Sequence, residues 1–153
     1  MAAKVAREAW QLVGELLFNG EAHNRMRQTC EAFGLSPPLV KMLVHLSRER
    51  PRAMRELADH WGCDASYVTA MVDDLERHGL AERRPHPTDR RVKTVALTEH
   101  GEETQRRVFD VLWEPPSALS ALTPGEQRQL RDLLRKVAAA DRVLGADDAR
   151  AVG

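Results

Sequence analysis

Residues 54–97, MRELADHWGCDASYVTAMVDDLERHGLAERRPHPTDRRVKTVAL, decide the fold of this 153-residue chain. Within them Ala58, Gly62, Val68 and Met71 fall at the offsets of two short helices crossing at a tight turn. Ala58 is small at the crossing, and Gly62 can take the positive φ that such a turn demands. Val68 and Met71 then lock the second helix onto the first. That geometry leaves one face of the second helix free for a DNA major groove. Val68, Met71, Val72 and Leu75 form its inward stripe, leaving Ser66, Tyr67, Thr69, Ala70, Asp73 and Arg77 on or near the other side. Next, Glu82 to Lys93 make a polar, arginine-bearing loop between two short β-like runs. The expectation is a mainly α fold with a small β-wing (α+β): a winged helix-turn-helix, pointing to a DNA-binding regulator.

Working outward, helical patterns lie on both sides. Val5, Ala9, Leu12, Val13, Leu16 and Leu17 share one apolar face, which continues through His23, Met26, Cys30 and Phe33. This predicts one long first helix, stopped at Gly34. Ser36 and Pro37 open the next, with Leu39, Met42, Leu43 and Leu46 facing inward. Beyond the hairpin, Thr98 starts another helix, which Pro115-Pro116 must break. Thr123, Pro124 and Glu126 supply an N-cap, a first-turn proline and a capping-box partner for the last helix. Its stripe is Leu130, Leu133, Leu134, Val137, Ala138 and Leu144.

Several segments together resemble the MarR family of bacterial regulators: Arg55-Glu56-Leu57-Ala58, Val68-Thr69-Ala70-Met71-Val72-Asp73-Asp74-Leu75-Glu76, Gly79-Leu80-Ala81-Glu82-Arg83, and Asp89-Arg90-Arg91 followed by Leu97-Thr98. With the flanking helices the resemblance covers nearly the whole chain. It implies a homodimeric winged-helix repressor or activator, often released from DNA by a small ligand. It also implies a division of labour: residues 36–97 bind DNA, while 1–35 and 98–153 form a helical dimerisation region, all within one folded unit. Two positions depart from the pattern. Ala53 stands where a Ser or Thr cap is usual, and Trp61 replaces a smaller aliphatic residue.

The same resemblance places Arg91 in the minor groove, with Asp89 orienting its guanidinium through a fork-like ion pair. A narrow A·T-rich groove concentrates negative potential, so an arginine there reads shape. Arg83, Arg84, Arg90 and Lys93 are then expected phosphate contacts. On the recognition helix, Ser66, Tyr67, Thr69 and Ala70 are expected near base edges and Arg77 near phosphate. The alternatives are that the helix residues merely solvate a surface and that Asp89 and Arg91 merely brace the hairpin.

Composition narrows the classes. The 23 basic and 23 acidic residues balance, so any attraction for DNA must come from local clustering. Two cysteines make no disulfide framework, and a charged N-terminus with no long apolar run leads us to expect a cytoplasmic, nucleoid-associated protein that does not engage membrane. There is no nucleophile elbow, phosphate-cradling loop or metal-binding motif, hence no expected catalytic residue, metal or cofactor. The expected partners are double-stranded DNA, a second copy, and a small aromatic or amphipathic ligand in a cleft near Trp10, Leu16, Trp61 or Trp113. Two alternatives stay open: a redox or metal sensor using Cys30, Cys63 or His23, and a winged-helix interaction module that does not bind DNA.

Overall fold

The computed structural model describes the backbone over residues 2–18, 20–86 and 88–151, and side chains over 3–18, 20–86 and 88–141. The chain forms two compact units, Met1–Glu114 and Pro115–Gly153. The first opens with α1 (Ala2–Phe18) and α2 (Glu21–Phe33). Here the single long helix expected from the continuous apolar stripe is two helices. Gly20 takes an extended backbone (φ −99°, ψ −166°) and becomes the N-cap of α2. Propensity alone does not set the break, since Gly14 stays helical within α1; at Gly20 a Cβ would lie 2.9 Å from the Leu16 carbonyl oxygen, a close backbone approach that suits glycine.

Next come α3 (Pro37–His45), β1 (Arg52–Ala53), α4 (Met54–Trp61), α5 (Ala65–Arg77), β2 (Ala81–Pro85), β3 (Lys93–Leu97) and α6 (Glu99–Leu112). The strands form an antiparallel sheet of order β1-β3-β2, with Arg52 and Arg83 both opposite Val95. The core lies where α3, α4, α5, α6 and the sheet converge. Val40, Leu43, Leu57, Val68, Val72, Leu75, Val95, Leu97 and Val108 are fully buried there. Burying a side chain of this size stabilises by about 1.5–3 kcal/mol, so this cluster dominates the unit's stability.

Helix ends are tied to the core. Gln105 of α6 donates from Nε2 to the carbonyls of Leu43 (2.6 Å) and Leu46 (2.9 Å), satisfying acceptors at the end of α3. Thr98 caps α6 by accepting the Gly101 N–H (2.9 Å) and donates its hydroxyl to the Gly79 carbonyl (2.6 Å). Gly101 itself presses on the backbone after α5; a Cβ there would lie 1.8 Å from the Leu80 carbonyl oxygen. Ser36 and Asp64 occupy N-cap positions of α3 and α5 but make no side-chain cap bond.

In the second unit a 3-10 turn, Ser117–Ala121, precedes α7 (Pro124–Ala151). Its start is the expected capping box: Glu126 accepts from the Thr123 N–H (2.8 Å), and Thr123 Oγ1 accepts the Glu126 N–H (3.4 Å). Leu133, Leu134 and Val137 remain 63%, 50% and 64% exposed, an apolar stripe left open among the described residues. Leu144, expected on the same stripe, lies outside the described side chains. Among the described residues, no helix is long and apolar enough to cross a membrane.

Candidate nucleic-acid interface

Helices α4 and α5 form the expected pair. Gly62 closes α4 at φ +57°, its N–H bonding back to Ala58 and Asp59 carbonyls. A residue with a Cβ is strained at that φ, which is why the turn falls on glycine. Ala53, in place of a hydroxyl cap, offers only half a box, donating its N–H to Glu56 Oε2 (3.1 Å). On α5, Val68, Met71, Val72 and Leu75 are buried, and Ser66, Tyr67, Thr69, Ala70, Asp73 and Arg77 are exposed. The Thr69 hydroxyl bonds back to the Ala65 carbonyl (2.8 Å), leaving its methyl to face outward chemistry. Arg77 pairs with Asp74 on its own helix. Ser66 and Tyr67 have no side-chain hydrogen bond among the described residues and stand in the first turns of α5, the part of a recognition helix that meets base edges.

The wing is the β2–β3 hairpin. At its tip His86 donates its N–H to the Val92 carbonyl (2.9 Å), and Val92 donates to the Asp89 carbonyl (3.0 Å). Asp89 Oδ1 accepts the backbone N–H of Arg91 (3.0 Å). This corrects the expected fork-like pair. The carboxylate is spent on the turn, a local geometry aspartate favours, and the Arg91 guanidinium is left without it. Among the described residues, Arg90, Arg91 and Lys93 are exposed with no carboxylate in ion-pair range. Asp89 therefore shapes the loop that presents the arginines.

The other two wing arginines are differently placed. Arg83 pairs with Asp73 Oδ1 (2.6 Å) and with Glu76 of α5. Its backbone N–H also donates to Glu76 Oε1 (2.8 Å). Arg84 pairs with Glu82 and donates toward the Arg48 carbonyl (3.4 Å). Both are expected phosphate contacts, and here each also pairs with carboxylates of its own chain. The signal was present in the sequence: Asp73 and Glu76, three apart on one helix face and shortly before the hairpin, are placed to attract a cation.

A cavity of about 710 Å³ lies within the first unit, walled by α1, α2, α3, α4, α5 and α6. Trp61 and Trp113 stand in its wall; Trp10 and Leu16 do not, being 72% and 56% exposed on α1, while Leu17 and Phe18 take the wall positions. One residue along a helix turns the side chain by about 100°, so a stripe read one position off points elsewhere. Sequence reading also missed Met26, Lys41, His45 and Met71 and did not assign Tyr67 to the wall. The Trp61 indole N–H is buried without an acceptor among the described residues. His23, Lys41 and His45 line the cavity, and among the described residues no Asp or Glu does.

Nearby, the His45 and His60 rings lie 5.8 Å apart. Burial lowers the His60 pKa from its usual value, helped by the positive charges of Arg52, His45 and Lys41. Cys63 lines the cavity, and Cys30 is half-buried with its thiol pKa pushed up by burial. A raised pKa makes Cys30 a poor thiolate nucleophile, which weighs against its use as a redox switch. Among the described residues, no group of three or more His, Cys, Asp or Glu side chains is arranged to hold a metal ion.

Comparison with known proteins agrees with this geometry. A model of the MarR family matches residues 35–93. The chain is 31% identical over 105 residues to the HTH-type transcriptional regulator BilQ of Clostridium symbiosum, covering 68% of this chain and 73% of that one. It is also 31% identical over 125 residues to the transcriptional repressor MprA of Escherichia coli, covering 76% and 66%. Among solved structures, RV1404 of Mycobacterium tuberculosis superposes with a TM-score of 0.73 at 28% identity, covering 92% and 95% of the two chains. Wild-type apo MarR of Escherichia coli matches in fold, with a TM-score of 0.68 at 23% identity over 83% and 93%.

Proposed function

Because the chain belongs to the MarR family of DNA-binding transcriptional regulators and is not an enzyme, we propose that it acts as a homodimeric repressor on a pseudo-palindromic operator, released by a small ligand. The observation that carries this reading is the pairing of a helix that exposes Ser66, Tyr67, Thr69 and Ala70 with a wing tip that exposes Arg90, Arg91 and Lys93, none of them ion-paired among the described residues. The helix enters a major groove, Arg91 enters the adjoining minor groove, and Arg90 and Lys93 hold phosphates. Two such heads about 34 Å apart read successive turns of one DNA face. The uncovered stripe on α7 supports a second copy as its cover, with 1–35 and 98–153 as the dimerisation region. Repression in particular is supported by the likeness to MprA.

The ligand reading rests on the cavity. Its volume suits a small organic molecule, and aromatic walls with basic and no acidic groups favour an amphipathic compound with a neutral or anionic head. An acceptor on that compound would satisfy the orphaned Trp61 N–H, which otherwise costs about 1–3 kcal/mol. Tyr67 and Met71 of α5 share this wall, so a ligand that shifts them alters the recognition helix directly. Whatever factor the ligand takes from DNA affinity, DNA takes from ligand affinity.

Fluorescence anisotropy tests the reading, using a duplex from upstream of the chain's own gene, a scrambled control and varied salt. Tight, selective, salt-sensitive binding is expected. Equal, weak binding to this duplex, its control and a tiled set of neighbouring promoters would overturn it in favour of an interaction module.

A further inference from the structure

The wing reaches α5 through an unusually concentrated contact. After α5 ends, the chain turns at residues 78–80 and returns as β2, bringing Arg83 alongside the helix it has just left. There its guanidinium meets three acceptors: Glu76, Asp73 Oδ1 at 2.6 Å and the Thr69 carbonyl at 3.5 Å. Residues 69, 73 and 76 are spaced i, i+4, i+7, one stripe along about 10 Å of helix. Glu76 takes the side chain with one oxygen and the Arg83 N–H with the other, so the strand's backbone is held as well. Arg83 is only 26% exposed in its side chain and Glu76 32%, which makes the pair less screened than most of the other ion pairs.

We propose that Arg83 is the positioning residue that clamps the wing to the recognition helix, so that the two reading elements meet DNA as one rigid head, and that it does this without touching DNA. The inference rests on the DNA-binding roles proposed above for α5 and the wing tip. Both terminal nitrogens of Arg83 are engaged, and two carboxylates outweigh its one charge. The cluster therefore has nothing to offer a phosphate, whereas Arg90, Arg91 and Lys93 at the far end of the same hairpin do. A wing free to swing at residues 78–80 must be ordered on binding, and that loss of freedom subtracts from affinity. Lysine would not replace Arg83, because a single ammonium lacks the planar fork that reaches two carboxylates and a carbonyl together.

Substituting the carboxylate separates positioning from simple charge. Removing a negative group beside DNA strengthens phosphate attraction if electrostatics alone matter. A clamp predicts the reverse: Glu76→Gln and Arg83→Gln should each weaken binding to the upstream duplex by about tenfold, the scale of a coupled ion-pair network. Arg83→Gln should leave the slope of log affinity against log salt unchanged, whereas Arg90→Gln should reduce it by about 0.9, one phosphate contact. In the free protein, hydrogen exchange at residues 81–92 should accelerate in both clamp variants, with the amides of α3 and the central α5 turns still protected. Tighter binding by Glu76→Gln, a reduced slope for Arg83→Gln, or unaltered exchange would each overturn the clamp. The exchange readout needs no DNA, so it judges the clamp even if the wild-type protein ignores every duplex, an outcome that instead sinks the operator reading.

Discussion

Arg91 and Gly101 illustrate how one residue can answer for a function or for a fold. Arg91 is exposed, without an ion-pair partner among the described residues, and presented by an aspartate turn. Its replacement by alanine should weaken operator binding by about 1–3 kcal/mol in an anisotropy titration while the circular dichroism spectrum is retained. Gly101 has the opposite profile. A methyl group at that position would sit inside the Leu80 carbonyl, so backbone must move to admit it. Gly101→Ala should destabilise by about 3 kcal/mol in urea denaturation, with DNA affinity per folded molecule little changed. Gly62 and Thr98 are readable from sequence because their roles depend on backbone geometry within a few residues. The partner of Arg83 is not, since a long flexible side chain selects among acceptors that only the folded hairpin brings near. Asp89 was read with the right residue and the wrong atom for the same reason: its nearest donor is the backbone two residues on.

Among the elements, the winged helix is legible because its signals are local and redundant: a small residue at the crossing, glycine at the turn, two short β-like runs around a polar loop and a threonine cap. Helices α1 and α2 are less so. Their apolar residues stay in phase across Gly20, and periodicity is blind to the extended backbone that Gly20 adopts there. The cavity was half legible, since Trp61 and Trp113 reach it while on α1 Leu17 lines the wall and its neighbour Leu16, about 100° around the helix, does not. The packing of α3 on α4 carries a pH signature. The folded His60 has a lowered pKa, so the unfolded chain binds more protons in the window just below the ordinary histidine value. Stability should therefore rise with pH through that window and fall on acidification from pH 7 toward 5.5. His60 is mostly exposed, and the effect is correspondingly small. Thermal melts should show His60→Gln losing less stability than wild type over that interval, and equal losses would remove the histidine from the account.

For the whole molecule, the proposed dimer makes the plainest demand. An α7 stripe of Leu133, Leu134 and Val137 left in water is a sizeable apolar surface, of the kind that marks an association site. Leu134→Asp should convert a dimer to a monomer in light scattering after gel filtration, with operator binding lost along with it. A dimer that survives this change would move the interface off α7. Sequence suggested such a role only through resemblance, because an amphipathic helix looks the same whether its own chain or another one covers it.

The neutralised base of the wing also has a kinetic consequence. With Arg83 and Arg84 answered internally and the chain as a whole uncharged, few cations remain to hold a random stretch of duplex. Fewer counterions are displaced at each encounter, so non-cognate residence is short and sliding runs are brief. For the proposed operator-binding role this predicts a search chiefly by three-dimensional diffusion and fast dissociation once the hold on the operator is loosened, to be checked by single-molecule tracking on stretched DNA.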